Sequence, residues 1–139
     1  MIVLDTNVIS ELMSTQASPT VRRWVAVQRV TSPLSITAIT VAEILYGIEL
    51  LPRGKRRDSL LQDAEAMFRE DIVHKILAFD EQAARAFSTI AAARRVGGRP
   101  TSTLDAQIAA IALANDATLA TRNTSDFEGC GVRLINPWE

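Results

Sequence analysis

Short apolar runs rich in β-branched residues alternate along this chain with longer stretches of helical period, and that order constrains the fold more than any other feature. It is the pattern of an α/β domain built around a parallel sheet, in which helices form the crossovers between strands. The candidate strands are 2–5 (IVLD), 34–36 (LSI), 75–79 (KILAF), 118–121 (TLAT) and 132–135 (VRLI). Between them, Ser18 and Pro19 supply a cap and a favoured first-turn proline for a helix with Val21, Trp24 and Val25 on one face. The next helix starts near Thr40 and carries Val41, Ala42, Leu45 and Ile48, until Pro52 and Gly54 break it. A new period from Leu60 to Phe68 makes an antiparallel helical pair over roughly 40–70. Asp80 leads a further helix ending at Gly97 and Gly98, and the segment after it forms an Ala-rich helix with Ile108, Ile111 and Ala112 on one face.

With 139 residues, 47% of them hydrophobic, the chain suffices for one packed domain spanning 1–139: a central, mostly parallel, twisted sheet flanked by helices. Fifteen Lys and Arg against sixteen Asp and Glu give a net charge of −1, which by itself advertises neither a nucleic-acid nor a membrane partner. If four acids were gathered around a metal, 16 − 4 = 12 acids would face 15 bases, a mildly basic outer surface suited to a polyanion. Cys130 stands alone, which excludes an intramolecular disulfide framework and a cysteine-rich zinc site and fits a reducing, cytoplasmic setting. Only "MIVL" precedes Asp5, and no long apolar run occurs anywhere, so the expectation is a soluble, untargeted protein without a membrane span.

Functional groups of parallel α/β sheets gather beyond the carboxyl ends of the strands. Four acids fall near such positions. Asp5 ends the first strand, Glu43 lies in the first turn of the helix after the second, Asp105 opens the Ala-rich helix, and Asp126 follows "TLATRNTS". Each also has a local reading. Asp5 suits the cap of a helix through "TNVISELM", Thr40 to Glu43 matches a capping box, Ser102 to Asp105 is a looser one, and Asp126 sits in a polar turn. Capping explains each acid separately but not the joint pattern. Carboxylates gathered on one sheet edge repel unless a cation neutralises them, and oxygen ligands without His or Cys favour Mg²⁺ or Mn²⁺ over zinc. Two such ions can activate water and steady the leaving oxygen in phosphodiester cleavage.

At these residues the chain resembles a PIN domain, specifically the VapC/FitB-like toxins of bacterial type II toxin–antitoxin pairs. The resemblance runs in order through "LDTNVIS", "ITVAEILYGIELL", "LDAQIAAIALAND", "LATRNTSDFEG" and "INPWE". It implies a metal-dependent ribonuclease with Asp5 and Asp105 as principal metal ligands. Glu43 then binds a second ion or orients water, Asp126 completes the cluster, often through water, and Thr6 bonds near the metal or scissile phosphate. Asn7 and Asn123 are supporting residues that fix the loops. The resemblance also implies a cognate VapB/FitA-like antitoxin, operator DNA bound only through that antitoxin, and a homodimer.

The same resemblance suggests where partners sit. The 40–70 helical pair offers a groove for the antitoxin, and Trp24, Leu50 or Leu51 suits a dimer interface; Arg99 and Arg122, which flank segments leading to the acidic pocket, suit RNA contact. His74, Cys130 and the Trp residues read as non-catalytic, the last three as packing. Three other functions are compatible with parts of the pattern. A haloacid-dehalogenase-like phosphatase needs an acid where Asn7 stands, and "VGGRPTST" lacks the Lys-Ser/Thr ending of a P-loop. A catalytically weak PIN-like module acting in an antitoxin–DNA repressor complex is the non-enzymatic alternative.

Overall fold

The computed structural model describes residues 1–69 and 73–139. Strands β1 (Ile2–Leu4), β2 (Leu34–Thr37), β3 (Lys75–Leu77), β4 (Thr118–Ala120) and β5 (Arg133–Ile135) form one sheet in the order β3-β2-β1-β4-β5. Every neighbouring pair is parallel. The chain steps outward from β1 to β3, then crosses back over β1 to add β4 and β5 on the other side. The strand order therefore reverses between β1 and β4, and in open α/β sheets the crevice beyond the carboxyl ends at such a seam is where ligands bind.

Helices cover both faces. Ile2 and Leu4 of β1, with Leu34 and Ile36 of β2, pack against α1 (Thr6–Met13), α2 (Pro19–Thr31), α3 (Ala38–Glu49) and α4 (Lys55–Arg69). Val3 points the other way and, with Leu77 and Leu119, meets α5 (Glu81–Val96) and α6 (Thr103–Ala114). Successive strand residues alternate faces, so two separate cores grow from one short strand. Ala106 and the run from Ile108 to Ala112 are all buried, and the small Ala side chains let α6 pass close to α5. Asp80 caps α5 by accepting from Ala83 N at 3.0 Å, and Gly98, at φ +74°, takes the left-handed turn beyond its end. Among the described residues no helix is long and apolar enough to cross a membrane.

Several sequence-derived boundaries move. β3 stops at Leu77 rather than 79 because its partner β2 runs out at Thr37, which pairs with Leu77. β1 stops at Leu4 and β4 at Ala120, which pair with each other; β5 begins at Arg133. The helix expected near Thr40 starts at Ala38: Thr37 ends β2 and at once caps α3, its Oγ1 accepting from Thr40 N at 3.0 Å. Glu43 therefore lies in the second turn, not the first, and the supposed Thr40–Glu43 capping box is absent. Residue 70, at the end of the expected helical pair, lies outside the described residues. His74 leads into β3, its N–H donating to the Leu34 carbonyl at 2.6 Å.

Candidate active site

β1 delivers Asp5 to the seam. Its backbone N–H still belongs to the sheet, donating to the Ala120 carbonyl at 2.9 Å, while its side chain has left it. Oδ1 accepts from Thr6 N at 2.8 Å, which caps α1; Oδ2 accepts from Thr121 Oγ1 at 2.7 Å and from Asn7 Nδ2 at 3.4 Å. Capping and site-building are thus one arrangement for Asp5. The carboxyl is 4% exposed, and burial pushes its pKa from 3.8 to about 6 despite the Thr121 and Thr6 hydrogen bonds; Asp105 and Glu43 add repulsion in the same direction.

A chain of hydroxyls fixes the second acid. Thr6 Oγ1 donates to Glu43 Oε1 at 2.8 Å, and it has only one proton to give. Its 3.0 Å contact with Thr40 Oγ1 must then be a donation from Thr40, which accepts in turn from Thr37 Oγ1 at 3.3 Å. Thr37, Thr40 and Thr6 point their protons one way, ending on the Glu43 carboxylate. Such a unidirectional chain polarises itself toward the anion and orders it.

The third acid comes from α6. Asp105 is in that helix's first turn, its backbone N–H donating to the capping Ser102 Oγ at 3.2 Å, where the helix dipole favours negative charge. Asp5, Glu43 and Asp105 line one cleft of about 450 Å³, together with Thr6, Asn7 and Asn123. Asp126 does not line it. It is exposed in a 3₁₀ turn, Thr124–Phe127, its backbone N–H bonded to the Asn123 carbonyl at 3.0 Å.

A buried guanidinium ties this far side together. Arg94 Nε donates to Thr101 Oγ1 at 2.7 Å and Nη1 to the Glu128 carbonyl at 2.6 Å, clasping the loop before α6 to the segment carrying Asp126. Arg99 adds an exposed contact with Glu128 at 3.5 Å. Beside the clasp, burial pushes the Cys130 thiol up and Arg94 partly offsets it.

Four contributors escaped the sequence reading. Thr121 is fully buried and supplies the short bond to Asp5. Ser10, Glu11 and Trp138 line the cleft. Glu11 stands four residues after Asn7, a spacing that places it on the same side of α1, which was the available signal. Trp138 packs partly against the β1–β2 core, as expected, but its ring also lies 5.1 Å from the Arg122 guanidinium. Asn7 joins the two loops directly: Nδ2 also donates to Thr121 Oγ1 at 3.3 Å, and Oδ1 accepts from Arg122 N at 3.4 Å.

The PIN-domain family model matches residues 2–129. The chain belongs to the PIN-domain family. This PIN domain is 44% identical over 139 residues to plasmid stability protein StbB of Pseudomonas syringae pv. tomato, covering 100% of this chain and 99% of the relative. It is 40% identical over 139 residues to VapC ribonuclease Y4jK of Sinorhizobium fredii, with the same two coverages. Its backbone superposes on a solved structure of FitAB bound to IR36 DNA fragment with a TM-score of 0.89 at 35% identity, covering 100% of this chain and 96% of that one.

The donor set of the PIN-domain cleft suits a hard divalent cation. The Asp5, Glu43 and Asp105 carboxylates are oxygen donors, and burial, with the repulsion of Asp105 and Glu43 beside it, raises the Asp5 pKa, so a cation there would favour its ionised form. Among the described residues no three His, Cys, Asp or Glu side chains converge closely enough to enclose an ion. An open arrangement still fits Mg²⁺, which keeps several waters and takes one or two carboxylates. A second groove, of about 840 Å³, lies between α1, α3 and α4 and shares Thr6 and Glu43 with the cleft.

Proposed function

We propose that this PIN domain is a divalent-metal-dependent endoribonuclease, the toxin of a bacterial type II toxin–antitoxin pair acting in the cytoplasm. One observation carries the reading: Asp5 after β1, Glu43 of α3 and Asp105 of α6 face one cleft at the seam of the sheet, where burial raises the Asp5 pKa to about 6 and the other two carboxylates push the same way. Asp5 and Asp105 are the principal ligands for Mg²⁺ or Mn²⁺, and Glu43 serves a second ion or a water. Bound there, the metal supplies Lewis acidity and a water of lowered pKa for phosphodiester hydrolysis. Thr121 and Thr6 N–H hold both Asp5 oxygens, so one carboxylate orientation survives when substrate arrives. Thr6 spends its proton on Glu43 and keeps that carboxylate turned inward. Asp126, outside the cleft lining, acts through water.

The antitoxin reading rests on the second groove. Its wall carries Met13, Ile44, Ile48, Leu51 and Leu60, and its floor runs into the acidic cleft through Thr6 and Glu43. An apolar antitoxin segment laid there ends against the catalytic acids and blocks them, and the antitoxin carries the complex to operator DNA. Leu50, exposed at the end of α3, and the half-buried Trp24 on α2 are free to serve a homodimer, while Leu51 belongs to the groove.

Cleavage of a cellular RNA pool by partner-free protein tests the central claim. Discrete products with Mg²⁺ or Mn²⁺, lost with chelator and in Asp5→Asn and Asp105→Asn, are the expected result. Equal inactivity of folded wild type and variants in the presence of metal rejects the nuclease and favours a PIN-like binding module.

A further inference from the structure

The acidic cleft has a single cation in its lining among the described residues, Arg122. Four carboxylates surround the same space, yet its guanidinium pairs with none of them: the ion pairs of the described residues do not include Arg122, and its hydrogen bond runs through its backbone N–H. The guanidinium is laid on the ring of Trp138 instead, 5.1 Å from its centroid. The indole is itself seated. Trp138 is half-buried against the core on the β1–β2 side, and its backbone N–H is fastened to Asn136 Oδ1 at 2.9 Å. Arg122 is fastened as well, since the Asn7 side chain that accepts its N–H also donates to Asp5. A planar cation is therefore held over an aromatic ring at the rim of the cleft, on an exposed residue.

We propose that the Arg122–Trp138 stack is a platform for an unpaired RNA base next to the scissile phosphodiester, a reading that rests on the ribonuclease function above. A phosphate alone needs only a positive charge, and a free arginine answers that need. A guanidinium paired with an indole answers a different one: single-stranded RNA is recognised through bases that stack on aromatic rings and guanidinium planes. The plane also meets both halves of the substrate, because the charge draws the backbone toward a cleft otherwise lined with acids while the face takes the base. An acidic peptide would use the charge and leave the plane idle. Stacking carries little base identity, so the platform favours unpaired over paired RNA, and purines over pyrimidines by their larger π-surface.

Binding measured in the full chain bearing Asp5→Asn, which removes cleavage on the ribonuclease reading, separates charge from plane. The probes are fluorescein-labelled decaadenosine, decauridine and an abasic ribose-phosphate decamer of equal charge, followed by anisotropy with Mg²⁺ present. The intact stack binds decaadenosine about tenfold more tightly than the abasic decamer. Arg122→Lys keeps the charge and loses the plane: it brings decaadenosine down to the abasic level and leaves the abasic decamer within about twofold. Trp138→Phe retains most of the preference, and Arg122→Lys, at an exposed position, tests the idea even if larger changes at Trp138 disturb folding. Equal weakening of base-bearing and abasic decamers by Arg122→Lys, or no weakening of either, overturns the platform while leaving the nuclease intact. Absence of any RNA binding together with inactive wild type overturns both readings.

Discussion

The two walls of the cleft are built on different principles. The near wall, Asp5 with Thr6, Thr121 and Glu43, grows from the sheet: Asp5 shares the β1–β4 ladder, and both its oxygens and one of Glu43's accept hydrogen bonds from neighbouring side chains or backbone. The far wall carries Asp105 on the first turn of α6 and Asp126 beyond it on a 3₁₀ turn, and Arg94 joins the loop before α6 to the segment carrying Asp126. Geometry on the near wall is a property of strand pairing, which the whole core enforces. On the far wall, the placement of the Asp126 segment against the loop before α6 rests on side-chain contacts between loops, chief among them the Arg94 clasp. The near wall is thus fixed by the sheet at an electrostatic cost, and the outer part of the far wall is held by side chains bridging two loops.

The largest expected effect tests which acids the chemistry uses. Asp5→Asn and Asp105→Asn should each lower RNA cleavage on the order of a thousandfold, roughly 4 kcal/mol of transition-state stabilisation. Asp126→Asn should lose only about tenfold, the scale of a group that orients others. A rate series for the three variants at saturating Mg²⁺ decides it. Equal losses at Asp126 and Asp5 would break the division, because a residue outside the cleft lining would then matter as much as its most buried carboxylate.

The cost on the near wall has a pH signature. Folded Asp5 takes up its proton near pH 6, against 3.8 when unfolded, so between those values the native state binds more protons than the unfolded chain. Stability therefore falls as pH rises through that window, the reverse of a salt-bridged carboxylate. A displacement from 3.8 to about 6 corresponds to roughly 3 kcal/mol. In chelator, Asp5→Asn should match wild type below pH 4 and exceed it by up to that amount above pH 7, read from urea unfolding at each pH. Mg²⁺ should close the gap by stabilising wild type alone. A gap that does not change with pH would mean that the hydrogen bonds to Asp5 outweigh its burial.

On the far wall, Arg94→Ala should cost about 2–3 kcal/mol of folding stability, since it strips two short hydrogen bonds and a buried aliphatic stem. Arg94→Lys cannot span both acceptors and should recover less than half. Hydrogen exchange should speed up in residues 99–102 and 123–128, the two segments the clasp joins, and stay unchanged in β1 and α1. Acceleration on both sides would show that the clasp supports the cleft as a whole.

The walls also differed in how far they could be read from letters. The parallel α/β order and the strand-end position of Asp5 follow from local pattern, because apolar runs and their breaks reflect burial directly. The sequence places Glu43 one turn too early because Thr40 resembles a cap, whereas Thr37, a residue equally at home in a strand, performs that task. Thr121 and Asp5 are 116 positions apart, and nothing near Thr121 announces a partner that only the β1–β4 register supplies. Trp138 was read as packing, which it is; its second face becomes meaningful only once β5 brings the chain end back to the seam. Local chemistry is legible where one segment suffices, and illegible where two distant segments must meet.

The smallest effect concerns that distant pair. Thr121→Val keeps the branched shape and removes the hydroxyl that donates to Asp5 and accepts from Asn7 Nδ2 and from Asn123 N at 3.1 Å. Losing the donor removes a force that lowers the Asp5 pKa, so uptake of the proton should move above pH 6 and the pH-dependent loss of stability should deepen. The expected cost at pH 7.5 in chelator is about 1–2 kcal/mol, smaller near pH 4 where the carboxyl is protonated in either protein. Thr121→Ser retains the hydroxyl and should restore both the stability and the pH at which Asp5 titrates. If Ser fails where Thr succeeds, the methyl group's packing in the seam, rather than its neighbouring hydroxyl, holds Asp5, and the near wall is ordered by shape as much as by hydrogen bonds.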